Sequence, residues 1–564
     1  RDNPHEVLSI KVCDPASGGG AFVIPTLDLL SRAVLECRES DVTLSQARSM
    51  VISHSLHCVD SDALSVGFLK MLLASQLDQE DIDIDALDRQ VVCGDSVIGP
   101  ICHTDDAPNS IWAEHFPEVL SEGGFSAIVG NPPWGTIKPS IREHFGSLDA
   151  SLLSLQGQEL RNRLRSDYAS QYEDWADSSS RKRFYSSTLR KHSGYEFQGS
   201  GDTEFYLYFV ERSMELLQSG GRLGLVVPSS IRTAEGAAPL RCALFNRGSV
   251  ELLIDFTNSK RIFDIHGMFR FLVLIWAPGR RIGVGRSHFG LTTRAEAEAL
   301  TVRRDNGIRF SRTYLAQTSP RRMTIPSLSS SSDAKLLRRL HAAHPPLGDR
   351  LEDAWNIEFS REFDMTNDSH HFVPSTPELS RLTKDLGDGS LLHRNLGRLL
   401  PVYEGRMVHQ FDSAAKEYIS GHGRSARWRP LPLGSKRVAP HYYMPESLLD
   451  TQRDWLLDRA GFCDVTGHAN ERTVLAALIP SSAVCGNKVP TCRFDREGKE
   501  YHLLWLALAN SIVVDWIARR RVGTSLNFFQ WYQIPFPRLS PDSPSGRELV
   551  RLALEAHELT FQAS

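Results

Sequence analysis

The sequence predicts an α/β protein, with a doubly wound, mostly parallel seven-stranded sheet over residues 1–280 followed by an α+β region. Three observations lead there. Strand-like and helix-like segments alternate through the first 280 residues, the pattern of a sheet covered on both faces. A first apolar run, Leu8-Ser-Ile-Lys-Val-Cys13, enters a glycine-rich turn, Asp14-Pro-Ala-Ser-Gly-Gly-Gly-Ala-Phe22. A later run, Phe125-Ser-Ala-Ile-Val-Gly130, enters a proline-restricted turn, Asn131-Pro132-Pro133-Trp134.

Strands are expected at 8–13, 55–60, 90–93, 125–130, 221–227, 250–256 and 269–277, and helices at 21–37, 62–77, 203–218 and 235–246. Leu207, Val210, Met214 and Leu217 recur at helical spacing and give the third of these helices a buried stripe. Gly220-Gly221 is expected to end it as a C-cap. An insertion at 135–201 carries Arg161, Arg163, Arg165, Arg181, Lys182, Arg183, Arg190 and Lys191. It is too long for a simple loop and is expected to form helices of its own. Residues 281–345 read as a connector, with a serine-rich break at Ser327–Ser332 and a short helix at 333–343. Short strands, loops and clustered aromatics and arginines follow over 346–564.

A chain of 564 residues exceeds one ordinary core, so two or three domains are expected. Composition is globular, 41% hydrophobic and 23% charged. No apolar run approaches the roughly 20 residues needed to span a bilayer, so no membrane partner is expected. The net charge of −4 confines any nucleic-acid surface to a local patch. Nine cysteines without a CxxC pair suggest reduced, mostly buried thiols and a cytoplasmic location. Cys463, His468, Cys485 and Cys492 fit no zinc template, and no metal is expected. The chain starts at Arg1, without methionine, and its first strand begins within ten residues. A fragment, or a missing N-terminal region, is the expectation.

The glycine turn sits where a first strand meets a first helix, the ligand crevice of a doubly wound sheet. Glycines let the backbone approach a ligand, and the helix start favours a carboxylate. A lone glycine run is usually only a flexible turn; the flanking strand and helix raise the odds here. Asp60 ends the second strand and suits the hydroxyls of a ribose, although a helix N-cap near Asp62 is the competing role. An isolated Asn-Pro-Pro is most often just a turn. A strand ending in Gly130, downstream of a glycine motif, outweighs that reading.

In this order the two motifs resemble those of the amino-methyltransferases that use S-adenosylmethionine, and specifically the N6-adenine DNA methyltransferases. The resemblance implies a methyltransferase sheet over 1–280 and S-adenosylmethionine as cofactor. Its binding candidates are Asp14, Ala16, Gly18, Gly20, Phe22, Asp60, Asp95 and Asn131, with Gly19 standing where the family often has serine. Asp95 would meet the cofactor's adenine amino group. Asn131, Pro132 and Trp134 would be catalytic. The Asn131 side-chain oxygen and the Pro132 carbonyl would accept both amine hydrogens of the target adenine and draw its lone pair out of conjugation. Rigid prolines keep those acceptors pre-aimed. Trp134 and Phe263 would stack on the two faces of an extruded base, with Phe256 and Phe269 competing for the second role. Tyr206 and Gly220–Ser230 are similar to the family's fifth strand and its flanks.

In the C-terminal half, Arg424, Arg427, Trp428, Arg429, Lys436 and Arg437 interleave basic groups with an aromatic, and Arg519, Arg520 and Arg521 follow. Such clusters suit a phosphate-tracking surface, with a solvated charged face as an even alternative. Tyr403–Met407, Gln410–Asp412, Asn470–Thr473, Cys485–Lys488, Asn510-Ser511, Asn527 and Ile534–Pro537 resemble the target-recognition region of large adenine methyltransferases. The likeness is to type IIG modification–specificity proteins and to the methyltransferases of BREX and DISARM phage defence. It implies a double-stranded DNA substrate and other subunits of a restriction or phage-defence system as partners. A protein-glutamine or RNA methyltransferase and a non-catalytic DNA-specificity subunit remain as alternatives.

Overall fold

The computed structural model describes residues 3–38, 41–98, 110–137, 145, 149, 152, 157–192, 194–201, 204–279, 283–302, 307–350, 355–421, 423–434, 436–449, 457–467, 470–496 and 498–561. The chain forms two compact units, Arg1–Ile325 and Pro326–Ser564.

The first unit is built on a nine-stranded sheet. Its strands are β1 (Val12–Asp14), β2 (Leu56–Asp60), β3 (Val91–Cys93), β4 (Phe125–Gly130), β5 (Leu217–Pro228), β6 (Gly248–Thr257), β7 (Arg270–Pro278), β8 (Gly283–Leu291) and β9 (Ile308–Ser311). They lie in the order 3-2-1-4-5-7-6-8-9. β1 to β5 pair in parallel, and β7 runs antiparallel between β5 and β6. The strand order reverses between β1 and β4, so a crevice opens beyond the C-terminal ends of these strands. Leu27, Leu30 and Val34 of helix Val23–Leu35 share a core with Val51, Ile52, Leu69 and Leu73 from the helices Leu44–His54 and Ala63–Ala74.

Five expectations need correction. Among the described residues the sheet has nine strands, not seven, and the first unit ends at Ile325, not near 280. Part of the expected connector is β8, which pairs in parallel with β6, and β9, which pairs antiparallel with β8. Glycines and polar residues in Gly283-Val-Gly-Arg-Ser-His-Phe-Gly290 mask that strand in the sequence. The first strand starts only at Val12, because Asn3 and Pro4 start a short helix, Pro4–Leu8, capped by the Asn3 side chain. Gly220-Gly221 do not cap a helix; helix Phe205–Leu216 runs directly into β5, whose pairing with β4 shifts register there. The insertion does form helices, Gly157–Asp167 and Ala169–His192.

The second unit is α+β. Strands Glu358–Ser360, Thr491–Arg493, Arg459–Phe462 and Ala476–Ile479 form an antiparallel sheet. A larger sheet centres on Gly397–Tyr403, which pairs with Tyr442–Pro445 and Val484–Cys485. Phe359, Phe462, Trp505 and Trp531 pack in its main core. Ser330 caps helix Ser331–Ala343, two residues longer than expected. Among the described residues no single helix is long and apolar enough to cross a membrane; the apolar pair Lys499–Ala509 and Ile512–Arg519 buries Leu503, Trp505 and Ile517 in this core.

Candidate active site

A cavity of about 790 Å³ opens at the ends of β1 to β4. Ala16, Asp60, Asp95, Asn131 and Pro133 line it, together with Phe205 and Phe209 from the helix before β5. Four of the expected cofactor residues are thus brought together, along with both motifs.

The glycine turn supplies the floor. Gly18 and Gly20 take φ of +47° and +84°, values that side-chain-bearing residues rarely adopt. The Gly18 amide donates to Asp60 Oδ2 at 2.8 Å, so turn and strand end are locked together. Asp14, Gly18, Gly20 and Phe22 themselves do not reach the cavity surface. Asp14 lies buried behind the turn, its Oδ1 accepting from the Ala16 amide at 3.1 Å. A Cβ on Gly130 would come within 2.8 Å of the same oxygen, which is why β4 must end in glycine.

Burial pushes the Asp14 carboxyl from 3.8 up to about 7, against the Ala16 hydrogen bond and with a further push from the Asp60 carboxylate. The folded state therefore holds this proton more tightly than the unfolded chain. Its stabilising contribution is complete below about pH 4 and is lost as pH rises through about 7. Asp14→Asn keeps the acceptor and removes the titration. Thermal melts should show the unmodified protein losing stability relative to Asp14→Asn between about pH 5 and about pH 8. Parallel profiles would place the titration elsewhere.

Asp60 and Asp62 divide the two roles that the sequence left open. Asp62 caps helix Ala63–Ala74, accepting from the Leu64 and Ser65 amides. Asp60 stays at the strand end, half-buried on the cavity wall. The Asp95 carboxylate accepts from the Val97 and Ile98 amides through Oδ1 and from the Tyr185 hydroxyl through Oδ2, at 2.6 Å.

The Asn131 turn is held at its far side. Trp134 Nε1 donates to the Val226 carbonyl on β5, and the Phe205 amide donates to the Gly135 carbonyl. Pro132 is buried and Asn131 exposed toward the cavity. No other described residue engages the Asn131 side chain or the Pro132 carbonyl, which leaves both acceptors free.

The aromatic pair differs from expectation. Trp134 and Phe263 meet edge to face, 5.3 Å between centroids, and Trp134 also stacks on Phe269 and Phe271. A base clamped between two rings needs them parallel and about 7 Å apart, two van der Waals contacts. Trp134 and Phe263 are therefore not the two walls of one slot. Phe256 stacks on Phe271 in the sheet core. The Asn258 side chain holds the backbone at Phe263 and Ile265, which fixes the loop that carries Phe263.

In the second unit most members of the basic clusters are engaged by neighbours, although Arg429 and Arg437 stay exposed and share one carboxylate. Arg521 is buried, bonded to the Gln533 carbonyl and His341. Arg520 lies over the Trp516 ring, and Arg519 bonds the Glu471 carbonyl and Asp515. These three are packing residues, not an exposed phosphate track. Arg429 and Arg437 both pair with the buried Glu417, and Lys436 pairs with Asp412. Arg427 is exposed, with no ion pair among the described residues. The Arg424 side chain, His468 and much of 138–156 lie outside the described residues. Several of the short stretches read as a recognition region meet in one network instead. Asn510 bonds Ala476 through both side-chain atoms, and its carbonyl accepts from Gln410 and Arg472.

Sequence reasoning missed Arg181, Lys182 and Tyr185, which line the cavity from the insertion helix. Their i, i+1, i+4 spacing puts them on one face, the only signal the sequence carried.

Residues 54–263 match the model of the Eco57I restriction-modification methylase family, a span that holds the Asn131 turn but begins beyond the glycine turn. The Type II restriction enzyme and methyltransferase RM.Eco57I of Escherichia coli is 22% identical over 284 residues, 46% of this chain and 24% of that protein. The chain thus matches about a quarter of the length of this curated relative. The ATP-dependent Type ISP restriction-modification enzyme LlaBIII bound to DNA is similar in fold, with a TM-score of 0.50 at 12% identity over 98% of this chain and 37% of that one. The Type IIL restriction-modification enzyme MmeI in complex with DNA covers 99% of this chain and 70% of its own, with a TM-score of 0.49 at 11% identity. The region from β2 to the loop after β6 is thus similar to restriction-modification methylases.

Proposed function

We propose that this protein is a sequence-specific N6-adenine DNA methyltransferase that uses S-adenosylmethionine and works in the cytoplasm within a restriction-modification or phage-defence system. The observation that carries the reading is the unengaged Asn131 side chain at a cavity that also presents Asp60 and Asp95, with the Pro132 carbonyl unengaged beside it in the chain. The cavity fits the cofactor in chemistry. The Asp60 carboxylate suits ribose hydroxyls, Asp95 suits an amine donor, and Phe205 and Phe209 offer an apolar wall for a ring.

The bound cofactor supplies an electrophilic methyl group. Asn131 and Pro132 accept the two hydrogens of the target amine, which localises its lone pair toward that group. Because the turn is fixed by β4, Val226 and Phe205, this polarisation needs little reorganisation. Holding amine and methyl in line supplies much of the remaining rate. The base must leave the duplex to reach the turn, and the second unit, with Arg427 exposed, is the candidate for holding the DNA.

The test is transfer of labelled methyl from S-adenosylmethionine to DNA, RNA and protein, followed by chromatography of the digested product. N6-methyladenine from DNA supports the reading; label only in RNA or protein, or none at all, overturns it. A second expectation concerns the cofactor. Asp60→Ala should weaken S-adenosylmethionine binding by about 1–3 kcal/mol, the cost of unpaired hydroxyls and a loosened Gly18 turn. Unchanged affinity by calorimetry would move the ribose contact away from Asp60.

A further inference from the structure

The insertion helix does more than fill space beside the sheet. Leu189 is fully buried and packs with Val97, Ile137, Tyr208 and Phe209. One turn earlier, Tyr185 hydrogen-bonds Asp95 and sets its ring 5.7 Å from that of Phe205. These two residues fix the helix against the ends of β3 and β4. Arg181 and Lys182, another turn earlier on the same face, then line the cavity with Asn131 and Pro133.

Charge is the informative part. Neither Arg181 nor Lys182 has an ion pair or side-chain hydrogen bond with a described residue. Arg161, Arg183 and Lys191 of the insertion are equally unpaired among the described residues, but only Arg181 and Lys182 line the cavity, while other cations are engaged. Arg163 pairs with Asp167, Arg190 bonds the Gly201 carbonyl, and buried Arg212 pairs with Glu215. The two carboxylates of the cavity accept from neutral donors and form no ion pair with either cation. Asp60 holds the Gly18 and Asp62 amides, and Asp95 holds Val97, Ile98 and Tyr185. Two cations without a direct ion-pair partner therefore face a cavity that contains the reactive turn.

An anion belongs there. S-adenosylmethionine carries a sulfonium, an ammonium and one carboxylate, so its net charge is positive and a cation pair does not recruit it. A nucleotide strand that delivers a base to Asn131 brings a phosphate on each side of that base. Arginine and lysine are the side chains that hold phosphate, the first by its planar fork and the second as a point charge. Resting on the methyltransferase reading above, we infer that Arg181 and Lys182 bind a backbone phosphate flanking the target nucleotide. The insertion helix thereby positions the substrate strand over the Asn131 turn.

The test is the Arg181→Gln/Lys182→Gln double variant of the full chain, with side-chain length retained and charge removed. Anisotropy of a labelled DNA oligonucleotide across a salt series should show binding weakened about tenfold, the scale of one charged hydrogen bond. The log–log salt slope should fall by about one. KM for DNA should rise with kcat less affected, while S-adenosylmethionine affinity and melting temperature stay unchanged, since both side chains are exposed. Weakened cofactor binding with unchanged DNA affinity would overturn the inference and assign the pair to the cofactor carboxylate. No change in either would also overturn it. If the unmodified protein transfers no methyl to DNA, the methyltransferase reading fails by itself, and the anisotropy arm still decides the phosphate site without turnover.

Discussion

Asn131→Ala is expected to cut methyl transfer by roughly two orders of magnitude or more, the scale of removing one preorganised polar group from a reacting centre. Melting temperature and S-adenosylmethionine affinity should stay close to those of the unmodified protein. The structure separates these outcomes. Asn131 is exposed and bonds no other described side chain, so its loss removes no folded-state contact. The turn is held from the sides, by Trp134 on the Val226 carbonyl and by Gly135 on the Phe205 amide, and it keeps its shape without the amide. What disappears is one of two acceptors for the amine hydrogens, so the loss falls on kcat. Asn131→Asp retains an acceptor oxygen at the same position and should keep a larger share of activity than alanine. Near-normal turnover in Asn131→Ala, measured with labelled methyl on DNA, would remove Asn131 from the chemistry.

The parts of this site that were legible in the sequence are those with local signals. Asp60, Asn131 and the glycine turn each sit at the end of an apolar strand, and backbone geometry places strand ends of a parallel sheet together. What was not legible depends on partners remote in the chain. Arg519-Arg-Arg521 reads as a phosphate-tracking or solvated run, yet Arg521 is buried because the Gln533 carbonyl and His341 supply its hydrogen bonds. Arg429 and Arg437 read as a basic surface, yet both neutralise Glu417, one of them across a hairpin. Trp134 and Phe263 are each aromatic and near the site, but only their packing shows that they touch edge to face. The helices of the insertion were expected from its length, but not that Tyr185 and Leu189 fix one face of its second helix to the sheet.

Asp255→Ala is expected to destabilise the first unit by about 3–5 kcal/mol, the cost of breaking a buried ion pair and leaving one partner charged. Asp255 on β6 is fully buried. It accepts hydrogen bonds from Ser229, just beyond β5, and from Arg270 at the start of β7, and Arg232 Nε lies 3.5 Å away. Burial by itself would raise the Asp255 carboxyl, but the guanidiniums of Arg232 and Arg270 outweigh it and hold the group below the usual carboxylate range. Arg232 is in turn pushed down to about 10, mainly by burial, with Asp255 opposing. Removing the carboxylate strands a buried guanidinium whose other contacts are the Ile325 carbonyl and the Phe289 ring. The effect should reach the site, because the strands it ties together carry Phe271 and the Val226 carbonyl, both contacts of Trp134. Denaturant unfolding measures the loss, and Asp255→Asn should fall between the two, keeping hydrogen bonds without charge. Asp255→Leu combined with Arg232→Met and Arg270→Met should recover much of it, since an apolar cluster of similar volume needs no compensation. A loss below about 1 kcal/mol, the value of an exposed pair, would mean that water reaches this cluster and that the ends of β5, β6 and β7 are held by the aromatic stack alone.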